Sequence, residues 1–99
     1  MLHIVNKSPQ ERTTLDSCLR VAETGGAILL IEDGVYAVVK GSAAEPKLKA
    51  AMDKFKFYAL SPDLDARGVG DRVMDGITLV DYAGFVNLVA ENKACQSWL

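Results

Sequence analysis

Five consecutive apolar residues, Ala27-Ile28-Leu29-Leu30-Ile31, stand between Gly25-Gly26 and Glu32-Asp33-Gly34. A strand with one wet face alternates apolar and polar side chains, whereas a strand apolar at every position is covered on both faces, as in a parallel sheet held between helices. This run is far shorter than the roughly 20 residues needed to cross a bilayer. Helices must therefore flank it on both sides, and the rest of the chain supplies candidates. Leu2-His3-Ile4-Val5 reads as a first strand. Ser8-Pro9-Gln10-Glu11 has the form of a helix start, with an N-cap serine, proline at the first helical position and glutamate three residues after the cap. The predicted helix runs from Pro9 to about Thr24, with Leu15, Cys18, Leu19 and Ala22 on one stripe and Arg12, Asp16, Arg20 and Glu23 on the other face. Gly25-Gly26 closes it.

After the apolar strand, Val35 to Lys40 is a short helix apolar nearly all round, which asks for burial on more than one side. Pro46 opens a helix to about Asp53, and 55–60 is a third strand. Ser61-Pro62-Asp63 repeats the serine-proline helix start, with Gly68 closing a short turn after Arg67. Ile77 to Val80 is a fourth strand, and Asp81 caps a helix from Tyr82 to about Glu91. The tail, 94–99, suits an edge strand better than a central one because of its glutamine and serine. Strands separated by helices of this length predict a three-layer α/β sandwich around a mostly parallel sheet of about five strands, with right-handed crossovers. At 99 residues the whole span, 1–99, reads as a single domain. Strand order is not fixed by this pattern.

Eleven basic and 13 acidic side chains leave a formal charge of -2, so no bulk positive field draws in a polyphosphate, and direct nucleic-acid binding is disfavoured. The amino-terminal stretch has its apolar residues before its first lysine, the wrong order for a secretion signal, and the expected compartment is the cytoplasm. Asn6-Lys7-Ser8-Pro9 lacks the glycines of a flavin phosphate cradle. Gly68-Val69-Gly70 follows a helical turn rather than a strand, so it reads as a loop and not a dinucleotide fingerprint. A receiver-type aspartate is missing at the end of the third strand, where the chain reads Ala59-Leu60-Ser61. Glu32-Asp33, Asp63, Asp65 and Asp81 read as helix caps and first-turn acids. His3, with no acid two residues away, is given no catalytic role. Neither a metal centre nor a cofactor site is expected from one histidine and two cysteines 77 positions apart, and a disulfide framework is equally disfavoured.

Cys18 is the candidate reactive side chain. At about 100° per residue it lies some 60° to one side of Leu15, on the flank of the apolar stripe, where partial exposure is expected. The plain reading is a small core hydrophobe. The functional reading is a thiolate that holds sulfur as a persulfide, activated by nearby cations such as Lys7, Arg12 and Arg20. Cys95 has only Lys93 beside it.

Several stretches together resemble one known family. They are Met1-Leu2-His3, Asn6-Lys7-Ser8-Pro9, Leu29 to Gly34 followed by Val35-Tyr36-Ala37, Asp63-Leu64 with Ala66-Arg67-Gly68, Val80-Asp81-Tyr82 with Gly84-Phe85-Val86, and Gln96-Ser97-Trp98-Leu99. In order and spacing they are similar to the DsrH/TusB family across the whole chain. The resemblance implies a DsrE-like fold and a subunit of a cytoplasmic sulfur-relay complex, a sulfur carrier or sulfurtransferase subunit rather than a free-standing enzyme. The partners it implies are DsrE-like and DsrF-like, or TusD/TusC-like, subunits in a dimer of heterotrimers, with a DsrC/TusE-like sulfur carrier as a further candidate. The 35–39 helix would then be surface to hide in such a partner. DsrH-type members carry a cysteine in a Leu-x-Ser-Cys-Leu setting, matched by Leu15-Asp16-Ser17-Cys18-Leu19, which enteric TusB-type members generally lack. That favours the branch that oxidises stored sulfur over the branch serving 2-thiouridine formation in tRNA, and makes Cys18 the candidate persulfide carrier. The alternatives are the TusB-type role and a non-catalytic scaffold subunit.

Overall fold

A computed structural model describes residues 1–10 and 13–98. It contains strands β1 (Leu2–Val5), β2 (Ala27–Leu30), β3 (Lys56–Leu60), β4 (Ile77–Val80) and β5 (Cys95–Trp98). The helices are α1 (Thr14–Val21), α2 (Glu45–Ala51), α3 (Ser61–Ala66) and α4 (Tyr82–Glu91), with a 3-10 helix at Glu32–Val38. The strands form one sheet in the order β4-β3-β2-β1-β5, and every pair is parallel. The expected three-layer α/β sandwich is what the chain builds.

The strand order explains the layering. From β1 to β4 the chain steps one way across the sheet, and right-handed crossovers place every intervening helix on the same face. The return from β4 to β5 runs the opposite way, so the same handedness puts α4 on the other face. Register then divides the side chains. Val5, Ile28, Leu30, Phe57 and Ala59 point toward α1, the 3-10 helix, α2 and α3, and with Leu15, Cys18, Val35, Val38, Leu48 and Leu64 they form the main core. Leu2 and Leu29 point the other way and meet Leu88 and Phe85 of α4 in a second, smaller core. Ile28, Leu29 and Leu30 are all fully buried, as the unbroken apolar run requires.

Three expectations need correction. The first helix begins at Thr14 and ends at Val21, not at Pro9 and Thr24. Ser8 is buried and its Oγ accepts the Gln10 backbone N–H at 3.3 Å, so the serine closes a local turn instead of capping a helix. The capping glutamate Glu11 and the face residue Arg12 lie outside the described residues, as does Leu99 at the end of the tail. Second, the apolar helix is a 3-10 segment that starts at Glu32. Third, that helix is not surface kept for a partner. Val35, Ala37 and Val38 are fully buried within this chain, between the sheet and α2 and α3.

Gly34 is what allows the 3-10 helix to sit so close. A Cβ there would run into the Val5 carbonyl oxygen, which already accepts the Ile31 N–H at 3.0 Å. Gly34→Ala is therefore expected to cost about 1–3 kcal/mol through overpacking against β1. Urea unfolding checks this, with the midpoint falling and the slope unchanged.

Candidate functional site

The two thiols occupy opposite settings. Cys18 sits on the inner side of α1 with no exposed surface, packed in the main core with Leu15. The flank position predicted partial exposure, but an eight-residue helix laid across β1 and β5 turns its flank inward as well as its centre. Burial pushes the Cys18 thiol up to about 11. At pH 8 a thiol with that pKa is thiolate about one time in a thousand, and the thiolate is the form that exchanges sulfur. Cys95 is exposed on β5, and by strand alternation it faces the opposite side of the sheet from the main core. The structure thus does not bring the two cysteines together. A thiol reagent at pH 8 is expected to label Cys95 promptly and Cys18 only as fast as the chain opens, so mass spectrometry should find one fast label in buffer and two in denaturant.

The motifs at the carboxyl ends of the strands do come together. The Glu32 N–H donates to Asp63 Oδ2 at 2.6 Å. Arg67 donates through Nε and Nη2 to Asp33 Oδ1 at 3.0 and 2.9 Å, and through Nη1 to the Asp63 carbonyl at 3.2 Å. Asp33 and Asp63 stand in the first turns of their helices, as expected of first-turn acids, and in addition tie the end of β2 to α3. Glu32 has φ +49, a conformation that favours glycine, and the Asp63 carboxylate holds its N–H there. Asp81 does cap α4 as expected, its Oδ1 accepting the Gly84 N–H at 2.8 Å. This cluster gives the motif residues a structural task, the fixing of the loops after β2 and β3.

Sequence reasoning missed a side-chain hydrogen bond to the edge strand β5. His3 and Trp98 are 95 positions apart, and the parallel pairing of β1 with β5, which sets Trp98 opposite Val5, places it on the same face as His3 and diagonal to it. The Trp98 indole N–H donates to His3 Nδ1 at 3.1 Å. His3 is only 5% exposed, and burial holds its pKa below the ordinary imidazole value of about 6.5. Only the neutral ring can accept at Nδ1, so protonation breaks this side-chain bond between β5 and β1, which adds to their backbone ladder. A pKa lower in the folded than in the unfolded chain gives stability that is complete above about pH 6.5 and is lost as pH falls toward the folded value, by at most about 1.4 kcal/mol per pH unit. Wild-type unfolding midpoints should drop between pH 7 and 5, and His3→Gln should flatten that drop.

A second feature was readable but unread. The helix α4 carries two apolar faces. Phe85 and Leu88 pack on the sheet, while Tyr82, Val86 and Val89, spaced i, i+4, i+7, point outward at 61%, 66% and 40% exposure. Leu79 of the edge strand β4 is exposed too, but its pairing with Ala59 turns it to the main-core side of the sheet, away from α4. Between Tyr82 and Val89 the helix has no charged side chain at all. Such a face is the signature of a surface that another molecule covers.

A five-stranded parallel sheet with helices on both faces defines a small α/β protein of the three-layer class, with one helix face left apolar and exposed. The comparisons agree with that class. The YchN protein of E. coli superimposes with a TM-score of 0.82 at 17% identity, over 97% of both chains. A protein of unknown function from Methanobacterium thermoautotrophicum gives 0.75 at 20% identity, over 97% of this chain and 95% of that one. Both share the fold. The family described as DsrH like protein matches residues 7–95. Protein TusB of Escherichia coli K12 is 37% identical over 98 residues, covering 99% of this chain and 100% of that protein, and Protein TusB of Pectobacterium parmentieri is 35% identical over the same shares. The chain belongs to the DsrH/TusB family of sulfur-relay subunits. Among the described residues, no helix is long and apolar enough to cross a membrane.

Proposed function

We propose that this chain is a structural subunit of a cytoplasmic sulfur-relay complex, holding sulfur-carrying partner subunits in place through the outer face of α4. The observation that carries the reading is the Tyr82, Val86, Val89 stripe, apolar surface that the chain itself leaves open. The partners this implies are DsrE-like and DsrF-like, or TusD/TusC-like, subunits in a dimer of heterotrimers. The buried Cys18 thiol supports the division of labour, since a group held mostly protonated in a core is a poor persulfide carrier. The full-length TusB relatives favour service to tRNA 2-thiouridine formation, while the Leu15-Asp16-Ser17-Cys18-Leu19 match favours sulfur oxidation, and the identity of the co-purifying partners chooses between them.

The carrier reading of Cys18 remains the competing proposal. It requires α1 to lift from β1 and β5 before the thiol meets a persulfide donor. Two variants separate the readings. Val86→Asp changes an exposed residue and should leave the chain's own stability within about 0.5 kcal/mol, yet it should abolish co-purification with the partners. Cys18→Ala should leave both the assembly and cellular sulfur flux intact. Loss of flux with an intact assembly, together with a gain of one sulfur atom in mass on wild type alone, would overturn the scaffold reading in favour of Cys18 as carrier.

A further inference from the structure

Two aspartate-glycine pairs occur in the chain, Asp33-Gly34 and Asp75-Gly76, and the structure sets them in opposite surroundings. An aspartate followed by glycine can close an imide ring, because glycine has no Cβ to obstruct attack of its backbone nitrogen on the preceding side chain. The ring closes only where that nitrogen is free of a hydrogen bond and the carboxyl group is free to turn toward it.

Neither condition is met at the first pair. The Gly34 N–H donates to the Ile31 carbonyl at 2.8 Å, Gly34 is buried, and Arg67 holds the Asp33 carboxylate at 3.0 and 2.9 Å. Both are met at the second. Asp75 and Gly76 form the exposed turn that leads into β4. Among the described residues the Gly76 N–H has no acceptor, and the Asp75 carboxylate has no hydrogen bond or ion pair. Gly76 has φ +92, and Met52 packs so close that a Cβ would stand 2.6 Å from its Sδ. The turn requires glycine, and with glycine comes the unobstructed nitrogen.

We propose that Asp75 is a site of spontaneous isoaspartate formation, and that the product is a substrate for an isoaspartyl carboxyl methyltransferase. The Gly76 nitrogen attacks Asp75 Cγ. The N–Cγ bond forms, a Cγ–O bond breaks, and the amide proton leaves with the carboxyl hydroxyl as one water. A second water opens the ring. Attack at the side-chain carbonyl restores aspartate, whereas attack at the main-chain carbonyl routes the chain through the side chain and frees the α-carboxylate that such an enzyme esterifies. The net step is an isomerisation, with nothing oxidised or reduced. It lengthens the main chain by one methylene directly before Ile77, which pairs with Phe57, so it falls where β4 is set in register on β3. The site does not depend on the subunit role, which rests on α4.

Ageing the full chain for weeks in neutral buffer made with heavy-oxygen water tests the proposal. Electron-transfer fragmentation of the digest then tells isoaspartate from aspartate. Isoaspartate with one heavy oxygen should accumulate at Asp75 at least about ten-fold above Asp33, where the Gly34 hydrogen bond must open first. In denaturant the two pairs should react within about three-fold of each other, since no fixed hydrogen bond then protects either. The aged folded chain should accept methyl groups from S-adenosylmethionine through the methyltransferase, and Asp75→Glu, a change at an exposed position, should lose most of that acceptance. The proposal is overturned if the folded chain gains no isoaspartate at Asp75, if it gains as much at Asp33, if the two pairs differ as widely in denaturant, or if Asp75→Glu accepts methyl groups as well as wild type.

Discussion

Everything in this molecule hangs on burying a strand from both sides. Ile28, Leu29 and Leu30 present side chains to alternate faces and none is accessible to water. Burial of each side chain contributes about 1.5–3 kcal/mol, but only if a cover exists on its own side. A short chain has little material for two covers. It spends α1, the 3-10 helix, α2 and α3 on one face and α4 on the other. The smaller core around Leu2, Leu29 and Leu88 therefore depends on a single helix, and that helix carries apolar residues on its remaining side. The same economy that completes the fold creates the surface that calls for a partner.

Much of this was legible in the sequence because it was local. The unbroken run 27–31 declared the two-sided strand, Asp81 declared the start of α4, and the serine and glutamine of the tail declared an edge. The misreadings came where local rules competed with packing. Ser8-Pro9 has the composition of a helix start, yet Ser8 is drawn into the interior and its hydroxyl spent on Gln10, so the helix waits until Thr14. The 35–39 segment was legible as apolar all round but not as interior, because only the strand order places it between the sheet and two further helices.

The candidate site was less legible than the fold, for a physical reason. Helical angle alone puts Cys18 on a flank, and whether a flank is wet depends on how squarely the helix lies on its sheet. Burial of α1 across β1 and β5 decided it. The His3–Trp98 bond belongs to the same class of fact, because it joins the second residue of the first strand to the last of the fifth, and no spacing rule connects them. The Glu32–Asp63 and Asp33–Arg67 contacts were visible only as motifs, and their pairing needed the parallel neighbours β2 and β3.

The placement of these features separates their tasks. A persulfide carrier needs a thiol that meets its partner as a thiolate, and the chain has enclosed its helical cysteine where the ionised form is most costly. The outer face of α4 from Tyr82 to Val89 carries no charge, and the helix is pinned at its start by the Asp81 cap and underneath by Phe85 and Leu88. That face lies across the sheet from α1. The outer face of α4 and the His3–Trp98 pair thus lie on opposite sides of the sheet, and proton uptake by His3 would weaken the Trp98 contact while α4 stayed on its own core.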